Sequence, residues 1–183
     1  MATMDLKAEQ KEIRKQSLLA FLLCAATSAA CVLFLAKLIT FSSEIGARLA
    51  FAIQTSFVHF AIVLLAVRMV SNGRYQSAAD IDGAAKGPPS PALAVKTAFL
   101  QNTLEQAFLG VGAHLLLASV TGGRWLGLLV ASSMLFAVGR WSFYRCYPGG
   151  AGGRAFGMAT TALASLACYL VALATLLGRL FGG

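Results

Sequence analysis

Asn102 and Glu105 stand three residues apart in the stretch AFLQNTLEQAFLG, residues 98–110, and Gln106 follows directly. On a helix this spacing puts Asn102 and Glu105 on one face, with Gln106, four from Asn102, on the same side. A carboxylate and amides so arranged can hold an ammonium group. A second cluster, GRWSFYRCYPGGAGGRAFG at 139–157, carries Arg140, Tyr144 and Tyr147 at spacings of four and three, which predicts one shared face. Arg154 follows a glycine-rich turn and opens the last apolar stretch. Guanidinium groups suit carboxylates and stabilise thiolates. At a helix start, free N–H groups and the helix dipole also favour an anion. The two clusters therefore have complementary charge and suit a polar ligand carrying both signs. They equally suit a structural role, in which Glu105 pairs with Arg140 or Arg154 and the amides join helices at about 0.6 kcal/mol per hydrogen bond. Trp141, Phe143 and Tyr144 also read as anchors at a membrane boundary.

The elements that must position these residues are membrane helices. Of the 183 residues, 58% are hydrophobic and 12% charged, where a soluble domain has about 45–50% and about 25%. A span needs about 20 mostly apolar residues, and five stretches qualify, at about 17–40, 49–70, 94–120, 125–144 and 155–180. The alternation that a barrel would need is absent, which leaves an all-α integral membrane helix bundle. The polar start, MATMDLKAEQKEIRKQ, is helix-prone, and the apolar run after it is long enough to span, so an uncleaved helix is expected. Residues 71–93 form a long polar loop broken by Gly83, Gly87, Pro88, Pro89 and Pro91. PGGAGG at 148–153 reads as a second breaker.

With five spans, eleven Lys and Arg residues fall on one side and four on the other. This bias predicts a cytoplasmic N-terminus and a C-terminus on the opposite side. It also brings Glu105, Arg140, Tyr144, Tyr147 and Arg154 to the same, cytoplasmic leaflet. The Ala- and Gly-rich composition with few Lys suits a bacterial inner membrane. The net charge of +8 flanks apolar runs and forms no basic patch with interleaved aromatics, which argues against nucleic acid. Cys24, Cys31, Cys146 and Cys168 include no CxxC pair, so neither a disulfide framework nor a zinc site is expected. His59 and His114 lie mid-span without a second ligand at metal-binding spacing, and are expected as core or cavity polarity with no metal.

NTLEQ at 102–106 resembles the Asn-x-x-Glu signature of the MAPEG family, the membrane-associated proteins in eicosanoid and glutathione metabolism. The resemblance continues in Arg140, the aromatic-rich turn to Tyr147, and Arg154, fourteen positions after Arg140. It covers about 45–180 and is strongest to bacterial-type members. It implies a four-helix core within 45–183, with residues 1–44 as a polar tail and an extra transmembrane helix. It further implies a homotrimer with glutathione bound between subunits, held by Asn102, Glu105, Gln106, Arg140, Tyr144 and Tyr147. Arg154 matches the arginine that lowers the thiol pKa and holds the thiolate. The implied activity is a glutathione-dependent transferase or peroxidase acting on hydrophobic small molecules that arrive from the membrane lipid. The chain departs from the family's glutathione users at Ala98, where they carry Arg, at Phe143, where they carry Tyr, and at Gln106, where they carry an aromatic residue. These departures favour the alternative, a non-catalytic protein of the same fold that binds a lipid or a protein partner.

Overall fold

The computed structural model describes residues 5–182. Five helices are long and apolar enough to cross a membrane, and no strand occurs among the described residues. We label them α1 (Leu6–Leu38), α2 (Ile45–Tyr75), α3 (Pro91–Val120), α4 (Gly127–Arg145) and α5 (Gly150–Phe181). α1 includes one π-helical turn, Cys31–Leu35. α2 is interrupted at Ser56, whose hydroxyl bonds back to the Ala52 carbonyl at 2.7 Å, an alternative partner that weakens the helical ladder. Short 3₁₀ turns at Gly83–Lys86, Gly123–Leu126 and Tyr147–Gly149 complete the connections.

The five spans fall where the apolar runs predict them, but the helix ends lie elsewhere. α1 starts at Leu6 because the polar tail continues the same helix, capped by Asp5, whose carboxylate accepts from Lys7 N and Ala8 N. α5 starts at Gly150, so only part of PGGAGG breaks the chain. The helix-breaking effect of glycine is modest, roughly 1 kcal/mol each, and at this end a carboxylate from another helix offsets part of it.

α5 is the hub of the bundle and packs against α4, α1 and α3, while α2 lies mainly on α3. Large apolar side chains point outward on every helix, including Leu22, Phe60, Phe108, Met134 and Leu173. Small and polar residues, among them Ala52, Ser56, Ala113, Ser133, Gly157, Thr161 and Ser165, share the interior with large apolar side chains such as Leu117, Leu129 and Phe136. An exterior this apolar on every helix fits lipid as the solvent, and the buried small residues let helix backbones pack closely. Cys24 and Cys168 are buried and all four cysteines are free.

The polar loop is ordered by one carboxylate. Asp80, itself buried, accepts from Ser90 N at 2.8 Å and from Ser90 Oγ at 2.7 Å. Ser90 Oγ in turn caps α3 through Leu93 N at 3.3 Å, and Pro91 takes the first helical position, where no N–H is needed. The Ser90 amide, helped by the Ser90 and Ser77 hydroxyls and by Arg74, holds the Asp80 carboxyl below its ordinary value. A depressed folded pKa stabilises the fold above the unfolded value of about 3.9, and the contribution is lost as pH falls through the folded value. Asp80→Asn is therefore expected to destabilise the chain at neutral pH, and the difference from wild type is expected to shrink steadily below about pH 4. Unfolding in mixed micelles across that range measures this directly. A gap independent of pH would contradict it.

Candidate functional site

One end of the bundle gathers the end of α4, the start of α5, the second turn of α1 and the middle turns of α3 (residues 98–105) around a cavity of about 490 Å³. Asn102 and Glu105 of α3, Tyr147 of the turn after α4, Arg154 of α5 and Ile13 of α1 all line it. Ala98, Phe143, Ala155 and Met158 supply apolar wall. The cavity thus has a carboxylate and a guanidinium on a largely hydrophobic lining.

Arg140 stands behind this wall rather than in it. It is 1% exposed. Its Nη1 donates to Asn102 Oδ1 at 2.6 Å, and its Nη2 donates to Thr161 Oγ1 at 2.8 Å and to the Gly157 carbonyl at 3.3 Å. The guanidinium lies 4.7 Å from the Phe143 ring centroid, within range for a cation–π contact. One side chain therefore ties α3, α4 and α5 together, and no carboxylate is among these partners. Its donors also fix the Asn102 amide: Oδ1 must face Arg140, which leaves the NH₂ as the group that Asn102 can offer to the cavity.

Glu105 is exposed and accepts from Gln101 Nε2 at 2.8 Å. It pairs with neither Arg140 nor Arg154, since the ion pairs among the described residues are Lys15–Glu12 and Lys86–Asp82. Arg154 is half-buried and lies 4.9 Å from the Tyr147 ring centroid. The two opposite charges at the cavity do not neutralise each other.

Gln106 does not line the cavity. It is buried, and its Oε1 has no protein partner among the described residues. The reason is angular: Glu105 and Gln106 are about 100° apart on the helix, with Asn102 between them. Asn102 shares one side with each, and only the Glu105 side meets the cavity. Tyr144 likewise lies outside it, with its ring 5.0 Å from Phe99 in an aromatic cluster with Phe143. The shared face expected of Arg140, Tyr144 and Tyr147 does not extend through Tyr147, because α4 ends at Arg145 and Tyr147 sits in the following turn. Lys96 leans on Gly73 of α2 and is not at the cavity, so Ala98 leaves that wall without a cation.

The start of α5 also differs from the expectation of free N–H groups beside Arg154. The helix begins four residues earlier, and Gly152 N donates to Glu9 Oε1 of α1 at 2.6 Å. An internal carboxylate fills the place that the helix dipole offers to an anion. Nothing in the local sequence around residue 152 announces this partner, 143 positions away.

A second polar group lies deeper. His59 and His114 are fully buried, with ring centroids 4.9 Å apart. Ser56 Oγ lies 2.7 Å from the Ala52 carbonyl oxygen and 2.9 Å from His114 Nδ1, and so links α2 to α3 through the imidazole. Two isolated histidines in apolar sequence give no sign that they meet. The described residues contain no group of three or more metal-ligating side chains.

A scan against protein-family models, a search of curated proteins and a search of solved structures return no match for this chain.

Proposed function

We propose that the cavity binds a small zwitterionic thiol, glutathione, and that the chain is a MAPEG-like transferase or peroxidase acting on lipophilic electrophiles. The carrying observation is the pair of unneutralised opposite charges, Glu105 and Arg154, on one 490 Å³ cavity. Glu105 suits the ligand's ammonium, the Asn102 NH₂ a carboxylate or carbonyl, and Arg154 the thiolate. The apolar wall of Phe143, Ala155 and Met158 suits a hydrophobic co-substrate entering from lipid. In the transfer reaction the thiol proton leaves to solvent and the sulfur forms a bond to an electrophilic carbon. The leaving group departs with its electron pair. Arg154 stabilises the negative charge on sulfur before attack, a preorganised electrostatic contribution. In this reading the site faces the cytoplasm of a bacterial inner membrane and the assembly is a homotrimer, while the cavity residues named here all belong to one subunit, where the resemblance implies a site between subunits.

Ala98 and Phe143 on the cavity wall support a second reading, a non-catalytic protein of this fold that binds a lipid or a protein partner there. Binding of glutathione to the detergent-purified protein separates the two. Saturable binding is expected in the wild type. Glu105→Gln is expected to weaken it by roughly tenfold, as loss of a charge-assisted hydrogen bond does. Absence of binding at millimolar glutathione would leave the lipid- or partner-binding reading.

A further inference from the structure

We propose that the amino-terminal helix is a wall of this cavity, and that Glu9 is a positioning residue for Arg154, acting through the first turn of α5. This rests on reading the cavity as a ligand site. Three contacts carry it. Glu9 Oε1 accepts from Gly152 N at 2.6 Å, two residues before Arg154. Ile13, one turn further along α1, lines the cavity together with Ala151 and Arg154. Glu12 lies flat against Gly152, where a Cβ would come within 3.1 Å of Glu12 Cγ.

The glycines make this approach possible. Gly150 has φ 75°, a left-handed conformation suited to glycine, and a side chain there would also come within 3.1 Å of Glu9 Oε1. The run that reads as a helix breaker is therefore also a seat for α1. Arg154 stacks on Tyr147, which belongs to the short 3₁₀ turn that leads into α5. Glu9 fastens that segment from a different helix. It also occupies the helix N-terminus, so an anionic ligand group is directed to the Arg154 side chain instead of the backbone.

Hydrogen exchange on the full-length protein in detergent tests this without any ligand. In Glu9→Ala the amides of residues 152–156 are expected to exchange roughly two- to thirtyfold faster, the range that loss of a helix cap gives. Exchange beyond Thr160 should stay at the wild-type rate. Glu9→Gln keeps an acceptor oxygen and is expected to restore most of the protection. Glu12→Gln keeps its packing on Gly152 and is expected to match the wild type. Unchanged exchange at 152–156 in Glu9→Ala would overturn the proposal. A uniform rise along all of α5 would overturn it too, since Glu9 would then hold the bundle and not the turn. Glutathione affinity in the same variants adds a second readout: it should weaken severalfold in Glu9→Ala and recover in Glu9→Gln. An unaltered affinity beside a loosened turn would overturn the positioning role. If the wild type binds no glutathione, the transferase reading falls, and the exchange pattern alone decides the positioning claim.

Discussion

Gly157→Val is expected to cost about 3 kcal/mol or more of bundle stability, at or above the upper end of ordinary overpacking. A Cβ at residue 157 would meet the Gly139 carbonyl oxygen, with Phe143 N at 2.5 Å and Phe143 Cα at 2.8 Å. These are backbone atoms of α4, so no rotamer change can relieve the clash. The helices must separate, and separation also lengthens the bond from Arg140 to the Gly157 carbonyl. Gly178 provides the contrast within the same helix. No atom lies within 4 Å of a Cβ built there. Gly178→Ala is expected to be neutral or to stabilise by about 0.5–1 kcal/mol through helix propensity alone. Reversible unfolding in mixed detergent–SDS micelles, followed by circular dichroism, measures both. Similar effects at the two positions would mean that α4 and α5 do not cross at Gly139 and Gly157.

Arg140→Ala is the second large effect, on the order of 3 kcal/mol of stability. The substitution removes three hydrogen bonds from one charged group and leaves a void between α3, α4 and α5. It also frees the Asn102 amide to rotate, so ligand affinity is expected to fall together with stability. Arg140→Lys is expected to recover little of either. A lysine ammonium offers no planar fork for Asn102 and Thr161 at once and loses the stacking on Phe143. Arg140→Met tests the opposite claim, that burying a cation without a carboxylate is itself a burden. Were Arg140→Met as stable as wild type with ligand affinity unchanged, the latch from Arg140 to Asn102 would have no role in the site.

The five spans were legible because each needs only a long apolar run, a signal that is local and strong. Their ends were less so: Asp5 and Ser90 are adjacent caps, but the groups that hold the starts of α3 and α5 in place lie further off in the chain. Ser90 caps α3 but is itself held by Asp80, and the start of α5 is held by Glu9. Alternation of the spans across the membrane places Asn102, Glu105, Arg140 and Arg154 at one end of the bundle, and the structure gathers them there. Which neighbour reaches the cavity is a finer matter. One helical step separates Glu105 on the cavity from Gln106 in the interior, and the end of α4 at Arg145 changes the direction of Tyr147. A pattern that assumes an unbroken helix cannot resolve either. The pairing of His59 with His114 joins two helices whose own sequences give no partner to look for.

The most direct test of the account is the ultraviolet absorbance of thiolate when glutathione is added to the wild type and to Arg154→Ala. Arg154 is the cavity's cation, and its charge is not neutralised by Glu105. Saturable thiolate formation is expected in the wild type at neutral pH. In Arg154→Ala it is expected to fall by on the order of a hundredfold, as removal of one preorganised electrostatic contact does. Equal thiolate absorbance in the two proteins, or none in either at saturating glutathione, would contradict the claim that this cavity activates a thiol.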